Sequence, residues 1–365
     1  MRLLICSLVL LFTLLSGYNS YGQTVEKSRT VIETFKIDSD TEVEIINKYG
    51  NIHLIPWEKD SVKFEIELMV RGTKQSKVDK SFDYIEFDFK TSKYYIIAQT
   101  LFAGKSSFWS DVSDLTGAIF NSSTKTKIDY TVYFPANAKI KIINKYGNIY
   151  TTDHFGSLEI ELSNGDLKAH HLAGKTKLTH EFGDANIKQI DDGNLNISYG
   201  ELQLENADRL SIESKSSKLY IDKVSDLEIN SRRDKYYLEK AGYLHGLTNF
   251  SHIEIDEFTQ KFNLTAKYGD IDIKSFSDEV KSFKIDASDA DITLHFIDDK
   301  QYKVEAKVNS QTEVMYSAEI KNITSKELDG EENLIVVKCD VGTNKSRTIP
   351  IKMNVRGGSI SLKLK

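Results

Sequence analysis

The sequence predicts an all-β fold, a right-handed parallel β-solenoid with turns of 17–18 residues and β-rich flanking caps. Three observations predict it. A glycine-centred motif returns at a regular interval, and apolar residues keep fixed offsets from that glycine. The 365 residues include only three prolines, and proline cannot donate a backbone N–H to a strand ladder. Short strands stacked turn upon turn explain all three observations.

The repeat is clearest in one hexapeptide. Asn-Lys-Tyr-Gly-Asn-Ile occupies residues 47–52 and again residues 144–149. We number its glycine as position 0 of a turn. Along the chain, position 0 is then held by Gly147, Gly165, Gly183, Gly200, Ser217, Asp234, Ser251, Gly269 and Ala290. The successive spacings are 18, 18, 17, 17, 17, 17, 18 and 21 residues, and a fixed period of this length is typical of repeat architectures.

Apolar residues mark the inward face of each turn. The +2 column consists of Ile149, Leu167, Ala185, Leu202, Leu219, Tyr236, Ile253, Ile271 and Ile292. Similar columns lie at +4, at +7 (closing on Ile297) and at −5. Offsets of two and four place side chains on one face of a strand, and the further step of three marks a corner. A left-handed solenoid of hexapeptides would repeat apolar residues at every sixth position, so the right-handed form is favoured.

Glycines hold most of the corners. They are Gly50, Gly147, Gly165, Gly183, Gly200 and Gly269. Glycine suits a corner that needs a positive φ, or one that has no room for a side chain. Where glycine is replaced, Ser and Asp are residues that turns tolerate.

The domain organisation follows from these patterns. Residues 1–22 read as a signal peptide, with a charged Arg2, an apolar run too short to span a bilayer and a cleavage site after Gly22. Residues 23–135 form an N-terminal β region with the first solenoid turn and an inserted loop at 101–127. The repeat solenoid covers 136–297, and a C-terminal β cap covers 298–365.

The predicted location is outside the cytoplasm. The chain is expected to be exported, to the periplasm or to the cell surface or outer membrane, with no transmembrane segment after cleavage. Its mature part retains one cysteine, Cys339, in an apolar strand. A buried, unreactive thiol is expected there, and no disulfide. The net charge of −6 argues against nucleic acid as a partner.

With the repeat laid out, the chain resembles the "putative adhesin" families of bacterial envelope proteins, which include DUF4097, head-GIN-like and auto-transporter-adhesin-like domains. The motifs that carry the resemblance are Tyr49-Gly50-Asn51-Ile52, Tyr133-Phe134-Pro135 and the turns that follow. The likeness covers most of the mature chain and implies a solenoid fold without catalytic residues. The predicted signal peptide, with Tyr21-Gly22-Gln23 at its cleavage site, is similar to those of Bacteroidetes-type bacteria.

Polar columns give candidate sites. Asp166, Asp184 and Glu201 follow position 0 on successive turns. Their oxygens could hold calcium, or the acids could bond to the backbone at the corner; the second interpretation is favoured, and no cofactor is expected. Aromatic residues precede position 0 on many turns and could stack on sugar rings or simply pack at the corners. They are Tyr49, Tyr146, Phe182, Tyr199, Phe250 and Tyr268.

A basic stretch on two adjacent turns gives a second candidate surface. The candidate binding residues are Lys215, Lys218, Arg232, Arg233 and Lys235, with Tyr199, Tyr220 and Tyr236. They could contact an acidic glycan or an acidic partner surface, or they could form a solvated face.

Three function classes stay open. The first is a non-catalytic, adhesin-like envelope module that binds glycan or protein. The second is a periplasmic structural or protein-interaction scaffold, with the 101–127 loop meeting partners. The third and most remote is a polysaccharide-acting β-helix enzyme, which the uniform turns disfavour because they leave little chain to wall a cleft.

Overall fold

A computed structural model describes residues 24–102, 124–321, 323–327, 334–343 and 348–365. One helix, α1 (Gln75–Asp83), accompanies the strands in these ranges. The strands are β1 (Val25–Lys36), β2 (Glu42–Lys48), β3 (Ile52–Trp57), β4 (Ser61–Gly72), β5 (Ile85–Thr91), β6 (Tyr95–Phe102), β7 (Thr124–Pro135), β8 (Lys139–Lys145), β9 (Ile149–Thr151), β10 (Leu158–Ser163), β11 (Leu167–Glu181), β12 (Asp184–Ser198), β13 (Glu201–Lys215), β14 (Lys218–Arg232), β15 (Lys235–Asn249), β16 (His252–Ile273), β17 (Ser282–Phe296), β18 (Gln301–Asn309), β19 (Glu313–Tyr316), β20 (Thr324–Glu327), β21 (Leu334–Val341) and β22 (Thr348–Leu364).

The long strands confirm the predicted all-β solenoid. From β11 to β16, each strand pairs in parallel with the next, so that residues one turn apart lie side by side. Leu195 is paired with Ile212, which is paired with Ile229. The register shifts between Leu172 and Lys175 and between Ala241 and Tyr243, where the turn length changes between 18 and 17 residues. The right-handed sense of the coil stays a prediction.

The interior contains the predicted apolar columns. Every member of the +2 column is at most 2% exposed. Two further columns also point inward, at −7 and at −3. The −7 column includes Leu210 and Leu227, whereas the −3 column mixes polar Asn144 and His180 with apolar Ile197. Ile297, predicted to close the +7 column, is half-buried, and Phe296 is buried beside it.

The first turn is separated from the repeat in sequence and adjacent to it in space. β2 pairs with β8 and β3 pairs with β9, so residues 47–52 stack on residues 144–149. On their other edges, β2 pairs with β6 and β3 pairs with β7. The recurrence of the hexapeptide therefore marks direct neighbours.

The C-terminal strand adds another solenoid turn. β22 pairs in register with β17, and Gly358 lies beside Ala290 at position 0. β18 and β19 then pair with the other edge of β22. β21 runs antiparallel to β18, and β20 antiparallel to β21. Cys339, in β21, is buried as predicted, and burial beside Asp340 raises the pKa of its thiol to about 11.

The chain divides into two compact units. The smaller comprises Glu67–Glu86 with the described residues of Met1–Thr30 and Leu101–Lys127; the larger comprises Val31–Ile66, Phe87–Thr100 and Ile128–Lys365. Helix α1 belongs to the smaller unit and buries Val78, Ser81 and Phe82. The helix includes Phe82, and β5 begins two residues after the helix ends, at Ile85.

Two predictions concern residues that the structure does not describe. The signal peptide at 1–22 and most of the 101–127 loop lie outside the described residues. Within the described ranges, no helix is long and apolar enough to cross a membrane.

Candidate binding surface at the solenoid corner

The residue before each position 0 has an unusual backbone conformation. Ten non-glycine residues have a positive φ of 51–68°: Tyr49, Tyr146, Asn164, Phe182, Tyr199, Ser216, Arg233, Phe250, Tyr268 and Asp289. This conformation costs an L-residue roughly 1–2 kcal/mol. Ladder hydrogen bonds hold it in place: the N–H of Tyr199, for example, donates to the carbonyl of Lys215 on the next turn, at 3.0 Å.

The corner glycines serve a different purpose from the −1 residues. A Cβ on Gly147 would lie 1.9 Å from the carbonyl oxygen of Gly50, and one on Gly200 would lie 2.1 Å from that of Gly183. Of the two reasons given for glycine at position 0, lack of room is therefore the one that applies to these turns. The positive φ falls one residue earlier.

The −1 residues form an aromatic column that faces solvent. Tyr146, Phe182, Tyr199, Phe250 and Tyr268 are each 44–54% exposed. Their rings stack in parallel pairs along the solenoid. Tyr49 lies 5.5 Å from Tyr146, Phe182 5.1 Å from Tyr199 and Phe250 4.7 Å from Tyr268, between ring centroids. The rings contact one another and leave about half of their surface uncovered.

The basic residues lie in the same corner, between two of the aromatic pairs. We call Lys215, Lys218, Arg232, Arg233 and Lys235 the basic segment. All five are exposed. Lys215 lies beside Arg232, and Lys218 beside Lys235, in the strand ladder. The structure shows no salt bridge for any of the five with the residues it describes, although Lys215 Nζ lies 5.2 Å from the centre of the Tyr199 ring.

The predicted tyrosines divide between surface and interior. Tyr220 is exposed and stacks on Tyr237, with ring centroids 5.0 Å apart. The prediction that Tyr236 is a binding residue is wrong, because its side chain is fully buried at the inward +2 position. Its hydroxyl lies 2.7 Å from Ser214 Oγ, and burial raises its pKa well above the ordinary value. Tyr237 is the neighbour that reaches the surface.

A buried carboxylate supports the corner under the basic segment. Asp234 occupies position 0 and is 2% exposed. Its oxygens accept hydrogen bonds from the hydroxyls of Ser214 and Ser231, both at 2.7 Å. They also accept the backbone N–H groups of Ser217 and Arg232, both at 2.8 Å. Sequence reasoning missed this network, although Ser at −3 accompanies the loss of glycine at position 0 on the same turns.

Two of the three acids predicted at the +1 position, Asp166 and Glu201, accept hydrogen bonds from a backbone N–H and from a neighbouring side chain. Asp166 Oδ1 accepts the N–H of Asp184 at 3.1 Å, and Asn148 Oδ1 accepts the N–H of Asp166 at 2.8 Å. Glu201 accepts the Gln203 amide at 2.8 Å. In the part of the chain that the structure describes, no three His, Cys, Asp or Glu side chains are grouped as metal ligands.

The solved structures that match this chain have low sequence identity to it. A "putative cell adhesion protein" from Clostridium sporogenes is 10% identical, with a TM-score of 0.18 over 93% of this chain and 100% of that one. A "putative adhesin" from Bacteroides fragilis is 12% identical (TM-score 0.24; 92% and 97%). A "putative lipid binding protein" from Parabacteroides distasonis is 10% identical (TM-score 0.29; 92% and 96%). Likenesses this weak carry no argument about function.

The family assignment is firmer. No curated protein is similar to this sequence. A protein family matches residues 41–333, which include the first turn, the whole aromatic column and the basic segment. Because the match covers most of the 365 residues, the chain belongs to the Toastrack DUF4097 family.

Proposed function

We propose that this protein is a non-catalytic envelope module that binds an acidic glycan along the solenoid corner. One observation carries the proposal: along one corner of the solenoid, exposed aromatic pairs flank five cations that form no salt bridge with the described residues. Export, to the periplasm or the cell surface, is part of the proposal and depends on the predicted signal peptide.

The chemistry of the edge suits an acidic sugar chain. The C–H face of a sugar ring can pack on an aromatic ring, and carboxylate or sulfate groups pair with Lys and Arg. Like charges on neighbouring strands repel each other, so a bound anion would relieve the repulsion between Lys215 and Arg232. From Phe182 to Tyr268 the column crosses five turn spacings, or about 24 Å at 4.8 Å each. An extended polymer fits that length better than a small molecule does.

The regular turns support a binding role over a catalytic one. Between Leu167 and Ile273 the strands pair almost without interruption. Long loops that could wall a cleft are therefore not inserted in this stretch, and a cleft is what a polysaccharide-acting enzyme needs.

A second candidate is an envelope protein with an acidic surface, which would use the same cations. Such a partner would pair with the basic segment without needing the aromatic rings. An acidic glycan would require both, so variants of the two features distinguish the candidates.

The test compares two triple variants in titrations with acidic and neutral oligosaccharides. Lys215→Ser/Arg233→Ser/Lys235→Ser removes cations at the corner. Lys223→Ser/Lys240→Ser/Lys188→Ser removes cations at other offsets and serves as the control. We expect at least about tenfold weaker binding of the acidic chain for the first variant and less than about twofold for the second, with strong weakening by salt. Equal effects of both variants, or no binding of acidic glycan by the native protein, would overturn the proposal.

A further inference from the structure

The aromatic column is broken once by a single short residue. Tyr146, Asn164 and Phe182 occupy the −1 position on three consecutive turns. The N–H of Tyr146 donates to Ser163, and that of Asn164 to Glu181, at 3.0 and 2.9 Å. Their φ angles are 58°, 56° and 57°. Because the backbone conformation repeats, the three Cα–Cβ bonds leave the corner in the same direction.

The break is the width of one ring. Adjacent turns lie about 4.8 Å apart, so rings on Tyr146 and Phe182 are separated by about 9.6 Å. The stacked pairs on either side have centroid spacings of 5.5 and 5.1 Å. Half the gap therefore equals about one stacking distance, and one flat ring would contact both walls. Tyr146 and Phe182 are 51% and 52% exposed, and each has a stacking partner only on its far side among the described rings.

The residue at the floor of the gap, Asn164, is polar and uncharged, and the ladder neighbours of the preceding Ser163 are one cation and one anion, Lys145 and Glu181. Asn164 is exposed, and its side-chain amide makes no hydrogen bond to any residue that the structure describes. The preceding residue on that turn is Ser163. An amide offers two donors and an acceptor, which match the hydroxyl groups along the edge of a sugar ring.

We propose that this gap is a subsite for one neutral pyranose ring, held between Tyr146 and Phe182 with its edge on Asn164. The inference rests on the proposed glycan-binding function and adds to it a subsite for an uncharged sugar ring, separate from the basic segment. Ser216 and Arg233 interrupt the column too, but over two consecutive turns and with Arg233 itself a cation, so the gap at Asn164 is the one that has the width of a single ring.

Saturation-transfer NMR with methyl glycosides of glucose, galactose and mannose tests the assignment. Asn164→Tyr fills the gap with a residue that Tyr146 shows the corner accepts. Asn164→Gly keeps the gap open and the positive φ available. We expect transfer to at least one glycoside in the native protein, at least about fivefold reduction in Asn164→Tyr, and less than about threefold reduction in Asn164→Gly.

The outcomes separate this subsite from the broader proposal. Loss of acidic-chain binding with retained glycoside signal would leave the subsite standing alone. The subsite is overturned if no glycoside gives a signal, if Asn164→Tyr keeps the signal, or if the Lys215/Arg233/Lys235 variant abolishes it. It is also overturned if free indole gives a stronger signal that Asn164→Tyr removes, because the gap would then accept a protein side chain. Circular dichroism of each variant confirms that the solenoid is retained.

Discussion

Two stretches of the solenoid build the same corner with opposite chemistry. From Gly147 to Gly200, position 0 has no side chain and backbone stacks directly on backbone. From Ser217 to Ser251, position 0 carries hydroxyls and a carboxylate that turn inward and are satisfied by hydrogen bonds. Close approach stabilises the first stretch, whereas a buried polar network stabilises the second.

The outer surface changes at the same place. The glycine turns carry Asp166, Asp184 and Glu201 at +1, and the polar turns carry Lys218 and Lys235 there. The −1 residue is aromatic at Phe182 and Tyr199 but becomes Ser216 and then Arg233. A uniform backbone repeat can therefore present surfaces of different charge, while the interior of each corner is stabilised either by close backbone approach or by buried hydrogen bonds.

Adding a methyl group to a glycine corner should have the largest effect. A Cβ on Gly200 would meet the backbone oxygen of Gly183 at 2.1 Å, and backbone cannot rotate away. We expect Gly200→Ala to lower the free energy of unfolding by about 3 kcal/mol or more. Gly193→Ala is the control, since its Cβ would meet side chains and no backbone: Ile190 and Leu210 at 2.9 Å and Leu195 at 3.6 Å. Urea denaturation should show a clearly smaller loss for Gly193→Ala; equal losses would contradict the close-approach account.

Removing the buried carboxylate should come next. Asp234→Ala would leave the hydroxyls of Ser214 and Ser231 and two backbone N–H groups without their acceptor. We expect a loss of about 2 kcal/mol or more. Asp222→Ala removes an exposed carboxylate on the preceding turn and should change stability by less than about 0.5 kcal/mol. If both variants unfold at the same midpoint temperature as the native protein, the network contributes little to stability.

Acid should weaken a glycine turn through its buried histidine. Burial lowers the pKa of His180, whose Nε2 lies 2.9 Å from the Gly165 carbonyl. The folded protein thus favours the neutral ring. Its contribution is complete above the unfolded value of about 6.5 and is lost as pH falls from there through the lowered folded pKa.

His180→Leu isolates this effect, because Ile197 fills the equivalent −3 position on the next turn. We expect the fall in stability below pH about 6.5 to be shallower in the variant, by up to about 1.4 kcal/mol per pH unit for one proton. The variant should still lose some stability in acid, because His154 is also buried and has a lowered pKa. Identical pH profiles for the two proteins would contradict the assignment.

The sequence was sufficient to predict which apolar columns point inward, but not that the partly polar −3 column does so too. Ile and Leu at +2 and −5 alternate as a strand requires, so their burial could be predicted from period alone. Asn144, His180, Ser214 and Ser231 also point inward at −3. Their polarity concealed that position, since only the three-dimensional corner shows the carbonyls and carboxylate that satisfy them.

The corner conformation and the short helix were hidden for similar reasons. Glycine at position 0 suggested positive φ there, yet the structure places it on residues such as Tyr146 and Phe182, which rarely adopt it. Helix α1 buries only Val78, Ser81 and Phe82, too few apolar residues to give a helical period. Tyr236 and Tyr237 are adjacent in sequence, and which one reaches the surface depends on strand register.

Lysine footprinting tests the central claim, that the corner is the binding surface, most directly. The protein is acetylated with and without an acidic oligosaccharide, and each lysine is quantified by mass spectrometry. Lys223 and Lys240 lie on the same turns as Lys215, Lys218 and Lys235 but at the +6 offset, so they serve as internal controls. The account predicts protection of Lys215, Lys218 and Lys235 while Lys223 and Lys240 react as before. Protection confined to Lys223 and Lys240, or spread evenly over all five, would contradict it.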